Sequence, residues 1–346
     1  MENDFIPKKE IKKILIVKLR GIGDVVCSTI VVDNLREDFP NAQIDYLVEK
    51  PSSFGLVGLN QINNVLIFDK KSLWNRIKLA FKVRKEKYDL VFDFFGNPSS
   101  AQITFFSNAK FRIGFPFRGR KYAYNFYGPS ERAKWHNAIL HLKVLDKFGF
   151  TTKYQNLLFA LSDEAKIFAN NFFDKTFSSD DFVVGISTTG SWQSKKCDPE
   201  KFAEIAELVI KKYNAKILII WGKGDEEDSQ KLFSLLKGKA TLSPDTTIQQ
   251  MAGLISKCKF LIANDSGPMH ISTAIGTPVL SIHGPTAPEL QGPFGEKHEW
   301  INLHELDCIV CNLLVCPRKH ECFLNLPNEA IMKKIESLIK KNKLLR

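Results

Sequence analysis

Apolar runs of four or five residues recur along the chain. Each ends in Gly or small polar residues and is followed by a stretch with helical spacing. Residues 14–17 run into Arg20-Gly21-Ile22-Gly23-Asp24 and then a helical pattern to about residue 37. Residues 44–48 and 65–68 are two further runs, and a basic amphipathic stretch covers about 72–86. Residues 90–94 lead into Gly96-Asn97-Pro98-Ser99-Ser100. The alternation returns in the second half, with strand-like runs at 182–186, 217–221, 260–263 and 279–282. Helical stretches lie between them at about 199–213, 225–236, 246–256 and 269–275. Short strands alternating with amphipathic helices predict parallel, doubly wound α/β sheets. The halves join near a helix over about 163–173 and the polar run at 178–181. The expected organisation is a first Rossmann-like domain over 1–170 and a second over 178–326, facing across a cleft, with a basic amphipathic helix over 327–346.

The length of 346 residues agrees with two domains. No apolar run approaches the ~20 residues that span a bilayer, and residues 1–9 show no signal-peptide pattern. A cytoplasmic protein is therefore expected. The net charge of +11 is uneven: residues 1–175 hold 28 Lys and Arg against 18 Asp and Glu, whereas 176–346 hold 21 against 20. The first half is thus expected to meet an anionic partner, either a phosphorylated substrate or a membrane surface, unless the charge only solvates it. No nucleic-acid module accompanies the charge, so nucleic acid is not an expected partner.

The richest stretch is 264–286, with Asn264-Asp265-Ser266-Gly267-Pro268-Met269-His270, Gly276-Thr277-Pro278 and Gly284-Pro285-Thr286. A helix opening at Gly267-Pro268 offers free backbone N–H groups to an anion. Asp265 would repel a phosphate, so it suits sugar hydroxyls beside a diphosphate; a cluster of caps and turns is the other reading. Arg20–Asp24 lacks the third glycine of a dinucleotide fingerprint, because Val26 stands there. Its glycines would let backbone approach a ligand. Asp24 is then either an N-cap or a carboxylate able to take a proton from a hydroxyl nucleophile. The polar loop at 187–196, with Ser191 and Lys195, suits a phosphate or simply faces solvent. Asp225, Glu226 and Glu227 could hold ribose hydroxyls or cap the next helix.

Cys308, Cys311, Cys316 and Cys322 hold four of the seven cysteines within 15 residues. A structural metal, zinc first, redox-labile disulfides and packed free thiols all stay open. Cys27, Cys197 and Cys258 read as core.

Taken together and in this order, these loops resemble the heptosyltransferase family (glycosyltransferase family 9), bacterial glycosyltransferases of the lipopolysaccharide inner core with a GT-B fold. The resemblance runs over about 12–325 and is strongest at 20–24, at 190–195 with Pro199-Glu200-Lys201-Phe202, and at 264–270 with 284–286. It implies inverting transfer of a heptose from ADP-heptose, or a related nucleotide sugar, to a hydroxyl of an anionic, lipid-linked saccharide. Asp24 falls on the family's general base. Ser191, Lys195, Ser266 and Gly267 fall on diphosphate contacts, Asp265 on the donor-sugar contact, and Asp225 and Glu226 near the nucleoside. No catalytic cofactor is implied, and the four cysteines could hold a structural zinc. Lys196-Cys197-Asp198 departs from the family's basic–Trp–Pro pattern and loses an aromatic near the donor loop. Basic segments at 8–13, 73–87 and 333–346 would suit peripheral contact with an anionic inner membrane. The alternatives are a same-fold enzyme for another nucleotide sugar, a sugar-nucleotide epimerase, and a non-catalytic nucleotide-sugar-binding protein.

Overall fold

The computed structural model describes residues 6–117 and 119–345, apart from the Arg132 side chain. The expectation of no leader falls largely on residues 1–5, which lie outside the described residues, as does Arg346. The chain divides into two compact units, Met1–Ala160 and Leu161–Arg346.

The first unit contains β1 (Lys13–Val17), α1 (Ile22–Ser28), α2 (Ile30–Asp38), β2 (Gln43–Glu49), α3 (Lys50–Ser53) and β3 (Asn64–Phe68). It continues with α4 (Leu73–Glu86), β4 (Leu90–Asp93), α5 (Pro98–Ser107), β5 (Phe111–Gly114), β6 (Phe126–Tyr127) and α6 (Asn137–Lys147). The six strands are all parallel, in the order β3-β2-β1-β4-β5-β6. Ile14, Leu15, Ile16 and Val17 are wholly buried, as a strand covered on both faces requires. α1 and α2 pack with α6, and α4 packs with α5.

The second unit opens with α7 (Asp163–Thr176), β7 (Val183–Ser187), α8 (Pro199–Tyr213), β8 (Lys216–Ile220), α9 (Glu226–Leu235) and β9 (Ala240–Leu242). It then runs through α10 (Ile248–Lys257), β10 (Phe260–Asn264), α11 (Gly267–Ala274), β11 (Val279–His283), α12 (Pro288–Gln291), β12 (Glu299–Asn302), α13 (Glu321–Leu324) and α14 (Asn328–Asn342). Its parallel sheet has the order β12-β11-β10-β7-β8-β9, which is the first unit's order read from the other edge. Both halves are therefore α/β, Rossmann-like and doubly wound.

Two boundaries differ from the sequence reading. α7 belongs to the second unit, because it packs on α10 where Gly253 allows close approach. A Cβ at 253 would stand 2.6 Å from the Ala165 carbonyl. The terminal helix is not a separate element either. Ile331, Ile335, Leu338 and Ile339 of α14 are buried in the second core with Phe202 and Ile282. Among the described residues, no helix is long and apolar enough to cross a membrane.

Truncating a fully buried Ile costs about 2–5 kcal/mol. Ile335→Ala should therefore lower the unfolding free energy of the second unit by about that amount in urea titration. Lys340→Ala, on the exposed face of α14, should change it little.

Candidate active site

Doubly wound sheets bind ligands beyond the carboxyl ends of their strands, where the strand order reverses. In the first unit that point lies between β1 and β4, and in the second between β7 and β10. The loops after these four strands carry Arg20–Asp24, Gly96–Ser100, Ser191 to Lys195 and Asp265 to Gly267. Three of the four hold the residues that the sequence reading singled out.

In the first unit, Gly21 is the N-cap of α1 and has φ +82°, a backbone conformation that side chains resist. A Cβ there would stand 2.6 Å from Oδ2 of Asp24, so the glycine leaves room for that carboxylate to fold back over the turn. Asn137, the first residue of α6, donates from Nδ2 to Oδ1 of Asp24 at 2.7 Å. The buried Lys18 places Nζ 3.6 Å from the same oxygen and donates to the Phe94 carbonyl. One carboxylate oxygen thus takes a hydrogen bond from Asn137 and has the Lys18 ammonium beside it, while the side chain stays 47 % exposed. Neither Lys18 nor Asn137 was singled out from sequence.

In the second unit, Lys195 donates to Oδ2 of Asp265 at 2.7 Å, with 8 % and 5 % of the two side chains exposed. Thr286 donates to the same oxygen at 2.6 Å. Asn264 fastens the surrounding loops: its Nδ2 donates to the Thr188 carbonyl at 3.0 Å and its Oδ1 accepts from the Cys197 N–H at 3.1 Å. The indole of Trp192 lies 4.6 Å from Nζ of Lys195, so this loop supplies an aromatic neighbour from within itself. Gly267 and Met269 lie in the first turn of α11, where backbone N–H groups have no partner within the helix. Ser266 is buried at its N-cap, and Ser191 is exposed on its loop.

Burial alone would raise the Asp265 carboxyl. Nearby His283, Lys195 and His270, with the Lys195 hydrogen bond, reverse that and hold it below its ordinary value. Burial presses His283 down to about 4. Its ring is therefore uncharged at neutral pH, and the Lys195 ammonium carries the match to Asp265.

The two residues expected at the nucleoside both have partners within the protein. Asp225 is buried against Lys196, with Nζ 2.8 Å from its Oδ1. Glu226 turns back to accept from the Gly224 N–H at 2.7 Å. Glu227 and Asp228, the next two residues, line a cavity of about 520 Å³ together with Gly190, Ser191, Trp192 and Lys196. Asp228 also meets Lys196, at 3.0 Å, on the rim of that cavity.

Cys308, Cys311, Cys316 and Cys322 line one cavity of about 40 Å³ with Ser194 and Gly284. They are free thiols, and burial together with the neighbouring thiols pushes Cys322 up to about 12. Among the described residues, no group of three or more His, Cys, Asp or Glu side chains is placed to hold a metal ion. Backbone hydrogen bonds govern where this segment lies. Val310 and Asn312 N–H groups donate to the Gly284 and Pro285 carbonyls at 3.0 and 2.8 Å. Ser194 N–H donates to the Leu314 carbonyl at 3.2 Å, and Cys316 N–H to Oε1 of Gln193 at 3.0 Å. The segment braces the loops that present Lys195 and Thr286.

Stability rises with pH wherever the unfolded chain binds more protons than the folded one. The opposite case does not apply to His283, since its folded value lies below its unfolded one. It has its ordinary value of 6.5 when unfolded and about 4 when folded, so its contribution is full above 6.5 and is lost as pH falls towards 4. Thermal melts should show the midpoint falling through that window. His283→Gln should flatten the slope by about one proton.

The profile of glycosyltransferase family 9 (heptosyltransferase) matches residues 76–320. The lipooligosaccharide heptosyltransferase 2 of Campylobacter jejuni is 29 % identical over 346 residues, covering 94 % of this chain and 99 % of its own. The crystal structure of the family 9 glycosyl transferase from Veillonella parvula superposes with a TM-score of 0.83 at 22 % identity, over 95 % of this chain and 97 % of its own. The structure of the E. coli ADP-heptose lipopolysaccharide heptosyltransferase II gives a TM-score of 0.76 at 19 % identity, over 96 % and 99 %. The fold is that of these enzymes, and the chain belongs to glycosyltransferase family 9, the heptosyltransferases.

Proposed function

We propose that this protein transfers a heptose from ADP-heptose to a hydroxyl of a lipopolysaccharide core acceptor, with inversion at the transferred carbon. The observation that carries the reading is the Lys195 ammonium, held beside Asp265 where α11 opens. Departure of ADP builds negative charge on the diphosphate. Lys195 and the first-turn N–H groups at Gly267 answer that charge in a largely buried setting. Ser191 adds a hydroxyl donor, Ser266 stands at the N-cap of α11 with its Oγ donating to the Asn264 carbonyl at 3.2 Å, and Asp265 takes donor-sugar hydroxyls. The positive charge comes from the protein itself, so the reading requires no metal.

Asp24 of the first unit acts as the general base. It takes the proton of the acceptor hydroxyl, whose oxygen forms the new bond to the sugar carbon. The bond from that carbon to the ADP oxygen breaks, and ADP leaves with the electron pair. Asn137 hydrogen-bonds Oδ1 and the Lys18 charge lies beside it, so Oδ2 is the oxygen that accepts the proton. Glu227 and Asp228, rather than Asp225 and Glu226, line the cavity beside the donor loop and suit ribose hydroxyls. The first half's excess of Lys and Arg suits an acceptor bearing carboxylates and phosphates. The reading places the enzyme in the cytoplasm, in peripheral contact with the inner membrane.

ADP release from ADP-heptose, measured with and without a Kdo-bearing lipid acceptor, tests the reading. Release should depend on acceptor and fall by roughly a hundred- to ten-thousandfold in Asp24→Asn. ADP binding should be unchanged in that variant. Release without acceptor, or unaltered turnover in Asp24→Asn, would point to a binding protein or another reaction.

Asn137→Ala should lower kcat by about ten- to hundredfold, the value of a hydrogen bond to a charged group. KM for ADP-heptose should stay constant. A fall in donor affinity alone would remove Asn137 from the base's support.

A further inference from the structure

Among the described residues of the three basic segments in the sequence, one segment alone turns an apolar stripe outward. α14 buries its apolar positions in the second core, and residues 8–10 form a single turn with no buried residue. α4 is different. Its inward contacts are Leu79 and Val83, whereas Leu73, Trp74, Ile77 and Phe81 are 65, 74, 38 and 70 % exposed. Leu73, Ile77 and Phe81 recur every four residues and Trp74 sits beside them, so the four form one stripe on a helix. Phe105 and Phe106 of α5, also exposed, extend it. Leu73, Ile77 and Phe106 line a common groove of about 130 Å³ between the two helices. Tyr122, 53 % exposed, packs its ring 5.5 Å from Phe105 at the far end.

The charge around the stripe is predominantly positive. Residues 70–87 hold eight Lys or Arg against Glu86 alone, and Glu86 is paired with Lys13. Lys78, Lys82 and Lys85 are exposed on the flank of the stripe. Exposed apolar patches mark protein or membrane contacts. A row of aromatic and aliphatic side chains edged with flexible lysines fits an anionic lipid surface, where rings enter the headgroup boundary and ammonium groups meet phosphates. α4 also begins just after the carboxyl end of β3, so Leu73 and Trp74 lie at the same carboxyl-end side of the sheet as the loop bearing Asp24, two strands away.

We propose that the α4–α5 face, with Trp74 and Phe81 at its centre, docks this protein on an anionic phospholipid bilayer. The proposal rests on the reading of the acceptor as lipid-linked: the surface that carries the acceptor is the surface that α4 meets. The docking is reversible, because one short stripe and its charges give no more than peripheral binding.

Flotation of the full chain with vesicles tests it, using phosphatidylcholine alone and phosphatidylcholine with an anionic third of phosphatidylglycerol. Binding should require the anionic lipid and be released by high salt. Three variants read the surface: Trp74→Glu with Phe81→Glu; Lys78→Glu, Lys82→Glu and Lys85→Glu; and Lys333→Glu, Lys340→Glu and Lys343→Glu on α14 as a control of equal charge. The stripe variant should partition at least about tenfold more weakly. The α4 charge variant should lose at least roughly a hundredfold, at about fivefold per cation removed, with the three new carboxylates adding repulsion. The α14 control should stay close to wild type.

Equal binding to neutral vesicles, a stripe variant that binds like wild type, or equal losses in the two charge variants would each overturn the proposal. So would a stripe variant that loses only self-association in sedimentation, which would assign the face to a second copy. Turnover on an acyl-free, soluble acceptor separates this from the transferase reading. It should be unchanged in the stripe variant, whereas turnover on bilayer-embedded acceptor should fall. A wild-type protein that floats with anionic vesicles but transfers no sugar would leave the docking surface standing and remove the proposed reaction.

Discussion

The carboxylate of Asp265 and the ammonium of Lys195 stand 2.7 Å apart with almost none of either exposed. A charge so buried must be matched, since removing one partner of such a pair typically costs about 3–5 kcal/mol. The match draws on residues far apart in sequence. Lys195 comes from the loop after β7, Asp265 from the end of β10, and Thr286 from the segment after β11. Three loops at neighbouring strand ends are therefore fixed by one pair of charges. Asn264 ties down the backbone beside it, and the cysteine-bearing segment holds two of the loops from behind. The opening of α11 inherits its position from this arrangement.

The two sheets share one strand order, yet their switch points are furnished differently. The first unit presents a half-exposed carboxylate gripped at one oxygen. The second presents a buried cation and a helix N-terminus. A base must reach a hydroxyl and exchange its proton, so it needs solvent-side freedom. A site that stabilises a leaving diphosphate gains from exclusion of water, which strengthens each charge–dipole contact. One fold serves both needs by changing only the loops at the ends of its central strands.

Much of this was legible in the chain because buried parallel strands are short apolar runs and the loops after them are rich in Gly and polar residues. β1, β2, β7, β8, β10 and β11 all announce themselves that way. The short strands β5, β6, β9 and β12 do not, because two to four residues carry too little periodicity. Asp24, Lys195 and Asp265 could be singled out from loop composition. Asn137 could not, since it meets Asp24 across 113 residues of chain and nothing local marks it. The acidic run after β8 is ambiguous in sequence, since the adjacent residues from Asp225 to Asp228 all carry carboxylates. Only the phase of α9 decides that Asp225 is buried on Lys196 while Glu227 and Asp228 face the cavity. The cysteine cluster left metal, disulfides and packed thiols open in sequence, whereas the backbone pairing that places the segment against neighbouring loops is visible only in the fold.

The outward stripe of α4 bears on how the protein behaves at high concentration. Contiguous apolar surface of this kind ordinarily drives copies of a chain together. Here every approach of one stripe to another also brings eight Lys and Arg against eight more. Like-charge repulsion at close range opposes that contact at low ionic strength and weakens as salt shortens its reach. The lysines beside Trp74 and Phe81 thus act as gatekeepers: they keep a sticky surface dispersed in water without covering it. Colloidal stability should accordingly be greatest in dilute buffer, contrary to proteins that salt keeps in solution.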